Sequence, residues 1–240
     1  PADAPAPPPV ARASSASKST PAALAVDADS LSAWRIKPGA KRPWIAVDYG
    51  TPRDLSGLTL RWLPGAQHSD YAVELSEDGV SYRSAREVRG GNGGWDPIFL
   101  GDAEARFVRV RALSDAPAKG VVLADLQAHG PEWAPDLNAF FRHVADGAPR
   151  GLYPRAYAGQ QSYWTVVGAD SSPVEALFDE DARVEPWKGG PSIEPWIFTD
   201  GHLVGWADVS RSFSLEDGDL PMPGVTWSKD GLELRVSTFV

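Results

Sequence analysis

Few residues in this chain stand at spacings that could do chemistry. The four histidines, His68, His129, His143 and His202, are scattered at intervals that suit no zinc site. Cysteine is absent, which excludes thiolate ligands, disulfides and a Cys nucleophile. No Gly-x-Ser-x-Gly elbow occurs. The run Gly90-Gly-Asn-Gly-Gly94 is not followed by Lys-Ser/Thr and does not open a helix, so a phosphate-loop reading fails. Carboxylates are plentiful, and glycoside hydrolysis needs two of them about 5–10 Å apart across a cleft, one with a raised pKa. Asp179-Glu180-Asp181 offers three in a row, but consecutive charges in a turn point different ways and read as a solvated loop. Glu194, beside Pro195 and Trp196, and Asp208, after Trp206, are better placed, because aromatic neighbours desolvate a carboxylate; Glu216 is a third candidate. Ion networks perturb carboxylates as active sites do. Hydrogen bonding that organises a β-domain is therefore the favoured role for these acids, and no catalytic residue is assigned.

The charge balance narrows the partners. The 240 residues carry a net charge of −9, distributed as −1 over residues 24–130 and −9 over residues 131–240. An acidic chain is a poor partner for a phosphate backbone, so nucleic-acid binding is disfavoured. No run of about 18 apolar residues is present to span a membrane as a helix.

Any site must be held by the elements around it, and these read as strands. Pro1 to Pro21 is mostly Pro, Ala and Ser and predicts a disordered or polyproline-like tether. In a domain read over residues 22–130, the apolar pattern from Val26 to Gly130 mostly alternates with period two, as in Leu58-Thr-Leu-Arg-Trp62, Tyr71-Ala-Val-Glu-Leu75 and Arg106-Phe-Val-Arg-Val-Arg111. Pro52, Pro64-Gly65, Asp78-Gly79 and Gly90–Gly94 cut the runs apart, which predicts an antiparallel β-sandwich or barrel. A linker over residues 131–147 carries one short helix, capped by Asp136 and ended by Gly147, with Leu137, Phe140, Phe141 and Val144 on one face. Strand patterns return in residues 148–240, and Asp200-Gly201 and Asp230-Gly231 sit between apolar runs as hairpin turns. The last strand runs to Val240 without a polar tail, and such a strand needs neighbours. The expectation is a second β-sandwich that is cut short, with the remainder of the same polypeptide beyond Val240 as its partner.

Five phrases in order also carry a family likeness. They are Ala25-Val-Asp-Ala-Asp-Ser-Leu-Ser-Ala-Trp34, Pro43-Trp-Ile-Ala-Val-Asp-Tyr-Gly50, Tyr71-Ala-Val-Glu-Leu-Ser-Glu-Asp-Gly79, Ala105-Arg-Phe-Val-Arg-Val-Arg111 and Leu123-Ala-Asp-Leu-Gln-Ala-His-Gly130. The stretch resembles a discoidin (coagulation factor 5/8 type C) module. The resemblance implies an all-β fold, a discoidin-type antiparallel β-sandwich (jelly roll), with Trp34 and Trp44 at core positions. It implies a structural calcium ion between the first loop and the end of the domain, at Asp27, Asp29, Ser32 and Asp125. Ser32 stands where threonine is usual and Asp125 where glutamate is usual, but both keep the oxygen chemistry that calcium takes. It also implies glycan contact from loops at one end, by a ring stacking on a pyranose and polar side chains holding hydroxyls. Trp95, with Asp96, Arg89 and His68, fits that description best.

The second half carries Gly151-Leu-Tyr-Pro-Arg155, Gln160-Gln-Ser-Tyr-Trp-Thr-Val-Val-Gly168, Ser192-Ile-Glu-Pro-Trp-Ile197, Trp206-Ala-Asp-Val209 and Leu220-Pro-Met-Pro-Gly-Val-Thr-Trp227. These phrases are similar to the start of a large bacterial discoidin-containing family that continues into a glucoamylase-like or disaccharide-phosphorylase-like enzyme. The implied role is the non-catalytic, glycan- or polysaccharide-binding front of an exported (periplasmic or extracellular) carbohydrate-active protein. Two alternatives stand beside it: a bracing domain without ligand, and an adhesion module that binds protein.

Overall fold

The computed structural model describes residues 7–29 and 31–239. The chain divides into two compact units, residues 1–140 and 141–240. The first contains β1 (Val10–Ala13), a 3-10 turn (Ala22–Ala25), β2 (Trp34–Ile36), β3 (Trp44–Trp62), β4 (Tyr71–Ser76), β5 (Arg83–Val88), β6 (Trp95–Ala112) and β7 (Val121–His129). All pairings are antiparallel, in the order β2-β7-β3-β6-β4-β5, with β1 on β3.

The long strands β3 and β6 break register between Asp48 and Arg53 and between Leu55 and Gly57. Such bulges bend a strand. The first part of β3 lies between β1 and β6, and its last part lies between β6 and β7. The hydrophobic core that results holds Trp34, Ile45, Leu58, Leu60, Tyr71, Val73, Leu75, Val108 and Leu123. Gly57 is required by packing. A Cβ there would lie 2.2 Å from the Trp133 ring and 2.8 Å from the Ile98 carbonyl oxygen. Trp133 in turn stacks on His129 at 4.3 Å and meets Phe140 edge-on.

Two expectations are corrected here. The tether predicted over residues 1–21 is strand-paired at Val10–Ala13, and Trp34 Nε1 donates to Ser15 O at 2.9 Å; residues 1–6 lie outside the described residues. Alternation in Val10-Ala-Arg-Ala13, with half-buried alanines against the core, outweighed the low hydrophobicity of the segment. Trp44 is half-buried on the outer face of β3, opposite Arg111, and lies outside the core.

The helix α1 spans Leu137–Asp146, and the Ala139 amide donates to Asp136 Oδ1 at 2.8 Å, the predicted cap. Leu137 is exposed, so the four apolar residues do not share one covered face.

The second unit holds β8 (Trp164–Val167), β9 (Ala176–Asp179), β10 (Val184–Glu185), β11 (Ile197–Thr199), β12 (His202–Val204), β13 (Ser210–Glu216), β14 (Leu220–Lys229) and β15 (Leu232–Ser237). They form three small antiparallel sheets, β10-β9-β8, β11-β12 and β13-β14-β15. Asp200-Gly201 and Asp230-Gly231 make the predicted tight turns, with φ of 50° and 78°, and 49° and 81°. The core of the unit is small and includes Val167, Phe178, Trp206, Val225 and Trp227. Beside it lies a buried ion network. Arg155 donates to both Asp181 oxygens at 2.5 and 3.1 Å, Arg211 pairs with the same carboxylate, and Arg183 pairs with Asp179 at 3.1 Å. Asp179 and Asp181 are 3% and 6% exposed, so the expected solvated loop at Asp179–Asp181 is corrected. Arg183, four residues from Asp179, and Arg155 and Arg211, distant in sequence, neutralise these acids and allow their burial.

Candidate functional site

At one end of the first unit two loops are tied together. The Gly91 amide donates to Ser69 O at 2.8 Å, the Gly90 amide to Asp70 Oδ1 at 2.8 Å, and the Trp62 amide to Gly94 O at 2.7 Å. The run of glycines permits this approach. Gly90, Gly93 and Gly94 have φ of 65°, 79° and 78°, and a Cβ on Gly93 would strike Gln67 at 2.8 Å.

Trp95 follows at the start of β6, half-buried. Asp96 accepts from the Tyr71 hydroxyl at 2.8 Å. Arg89 is 69% exposed and paired with Glu87. His68 is 4% exposed, and burial pushes its imidazole pKa down, so it stays neutral beneath the loops. The loop pairing thus brings Arg89, Trp95 and Asp96 to one end of the sandwich, with His68 under them instead of on the surface. A third loop joins this end, since the Leu113 amide donates to Asp70 O at 3.0 Å.

The first loop gathers oxygens around one hydroxyl. Ser32 Oγ lies 2.8 Å from Leu24 O, 2.9 Å from each Asp27 carboxylate oxygen and 3.2 Å from Asp29 O. The Asp29 carboxylate takes the Leu31 amide at 2.9 Å, so Asp29 presents its main-chain oxygen to the cluster. Asp125 is pushed up in pKa by burial and, to a lesser degree, by the Asp27 charge, with Arg61 opposing. Two carboxylates held near each other among carbonyl and hydroxyl oxygens suit a hard cation such as calcium. Among the described residues no group of three His, Cys, Asp or Glu forms a metal cluster. A cation here would therefore rest on two acids and neutral oxygens.

The carboxylates singled out in the second half have other work. Glu194 lies 3.7 Å from Arg183, and burial raises its pKa. It lines a cavity of about 10 Å³ with Trp196 and Trp206, room for one water and no sugar. Asp208 is exposed and accepts the Gly205 amide at 3.0 Å. Glu216 is exposed at the end of β13. Asp208 borders an open surface groove of about 840 Å³ with Asp230 and Glu233, and no tryptophan lines it. No helix among the described residues is long and apolar enough to cross a membrane.

Several solved structures are similar to the first unit. A chitosan-binding module 1 from a chitosanase/glucanase of Paenibacillus sp. IK-5 is 27% identical, covers 52% of this chain and 97% of its own, and gives a TM-score of 0.49. Module 2 of that protein, in complex with chitotriose, is 27% identical over 52% and 98% of the two chains, with a TM-score of 0.48. The family 32 CBM from Clostridium perfringens NanJ, in complex with galactose, is 18% identical over 50% and 92%, at 0.45. A search of curated proteins gave no match. The sequence pattern of the F5/8 type C domain matches residues 10–125, from β1 into β7. That segment, just under half of the chain, carries the match to the F5/8 type C, or discoidin, domain.

Proposed function

We propose that the F5/8 type C domain binds carbohydrate at its loop end, with Trp95 stacking on a sugar ring and Arg89 and Asp96 holding hydroxyls. One observation carries the reading: loops 63–70 and 89–95 are hydrogen-bonded to each other, so the backbone that carries Arg89, Trp95 and Asp96 is fixed before any ligand arrives. Preorganisation of this kind lowers the ordering cost of binding. His68 supports the loops from beneath. Calcium belongs to the same proposal, held by Asp27, Asp125, Ser32 and the carbonyls of Leu24 and Asp29. By cancelling the repulsion between Asp27 and Asp125, it would fix the first loop.

A small, shallow site binds weakly. Its use lies in tethering an attached carbohydrate-active region near its substrate, outside the cytoplasm, which raises effective concentration. The test is a glycan array probed with this chain in calcium and again in EDTA. Selective binding that weakens in EDTA is expected. A folded chain that binds no glycan in either condition refutes the proposal.

A further inference from the structure

A second feature of the first unit lies on its sheet face, away from the loops. In β3, β4 and β6 one set of alternating residues is core: Ile45, Val47, Val73, Leu75 and Val108 are all 0% exposed. The opposite set faces outward in rows fixed by the register: Trp44–Arg111–Ala72, Ala46–Arg109–Glu74 and Asp48–Phe107–Ser76. This face is charged, yet it carries two aromatic rings, Trp44 and Phe107. Tyr82, from the β4–β5 turn, brings a third. Together with Arg12 of β1 they border a groove of about 380 Å³, within the range of small-molecule sites.

The rings are held before any ligand arrives. Arg109 is fixed by Glu74 at 2.6 Å and lies over the Tyr82 ring at 3.6 Å. Arg106 is bidentate to Asp48 at 2.8 Å and lies over Phe107 at 4.8 Å. Gly79, at φ 74°, leaves just enough room for the Phe107 ring, since a Cβ there would lie 3.0 Å from it. The groove borders carry both signs, Asp48 and Asp78 against Arg12 and Arg109. Any net charge on a ligand would meet its like, whereas hydroxyls find acceptors and donors; Trp44 and the side of Tyr82 turned from Arg109 offer apolar contact for C–H groups, beside Phe107, which is held between Arg106 and Gly79.

We infer that this groove is a second carbohydrate site, built for a neutral pyranose. It stands apart from the loop-end proposal. The Tyr82 end of the groove and loop 63–70 lie at opposite ends of the six-residue strand β4, about 20 Å apart, whereas Trp44 shares a row with Ala72 near that loop, so the comparison with Trp95→Ala separates the two sites.

The test uses the whole chain labelled with 15N-tryptophan, its indole signals assigned by substitution, titrated with methyl β-galactopyranoside and methyl β-glucopyranoside to millimolar concentration. The Trp44 indole signal is expected to shift and saturate with at least one glycoside, and to do so equally in Trp95→Ala. Phe107→Leu, which keeps apolar bulk against Gly79 but removes the ring, is expected to weaken that response about three- to tenfold. A Trp44 signal that stays still with both glycosides, or that moves only when Trp95 is present, overturns the second site. Movement of the Trp95 signal alone leaves the loop-end proposal standing and removes this one.

Discussion

Glu74→Gln tests how the outer face of the first unit is held. The Glu74 side chain is 7% exposed and meets Arg109 at 2.6 Å and Arg111 at 2.6 Å. Glutamine keeps the shape but removes the charge that two guanidinium groups share. Breaking a buried ion pair from one side costs about 3–5 kcal/mol. Here the arginine side chains are 22% and 31% exposed, so water recovers part of that. A loss of about 2–3 kcal/mol is expected. With a urea slope of about 2 kcal/mol/M, the midpoint should fall by about 1–1.5 M at neutral pH with the slope unchanged.

The pH dependence gives an independent arm. Burial pushes the Glu74 carboxyl up, but the bonds from Arg111 and Arg109 outweigh it and leave the pKa lowered. A lowered folded pKa means the stabilisation is complete above the ordinary carboxylate pKa and is lost as pH falls through the lowered value. Wild type and Glu74→Gln should therefore converge in acid. A midpoint shift below about 0.3 M at neutral pH, or a gap that acid leaves unchanged, would refute the reasoning.

Gly57→Ala should destabilise the first unit by about 1–3 kcal/mol, because the new Cβ overlaps the Trp133 ring and the Ile98 carbonyl; chemical denaturation followed by tryptophan fluorescence reads it. Asp181→Asn leaves Arg155 and Arg211 sharing a neutral amide in a buried setting. The second unit should lose about 2–4 kcal/mol, and proteolysis confined to residues 141–240 would report it. Asp125 has a raised pKa, so its ionisation opposes folding increasingly as pH rises through the ordinary carboxylate range and above. Calcium is expected to raise the thermal midpoint of wild type; Asp125→Asn is expected to raise the midpoint in EDTA and to abolish that calcium response. A calcium-induced rise that survives the substitution would remove Asp125 from the ion site.

Much of this was legible in residue order. Period-two alternation fixed the strand faces: Leu58, Leu60 and Trp62 are buried, and Tyr71, Val73 and Leu75 are in the core. Asp-Gly turns located the hairpins because only a φ > 0 pair closes them. The strand at Val10–Ala13 was hidden by composition, since alanines supply little hydrophobic signal yet fit close against β3. Asp179 and Asp181 looked solvated because their partners, Arg155 and Arg211, are 26 and 30 residues from Asp181 and follow no period. The outer groove did have a signal. In Arg106-Phe-Val-Arg-Val-Arg111 the alternation that buries Val108 and Val110 sends Phe107 outward with Arg109. His68 gave no sign of its burial, because only the closing of loops 63–70 and 89–95 covers it.

Sugar recognition at the loop end is tested most directly by calorimetric titration of the strongest array ligand into wild type and Trp95→Ala at saturating calcium. Loss of about tenfold or more in affinity, with the circular dichroism of the folded chain unchanged, is the predicted result. Equal affinity in the two proteins would contradict it.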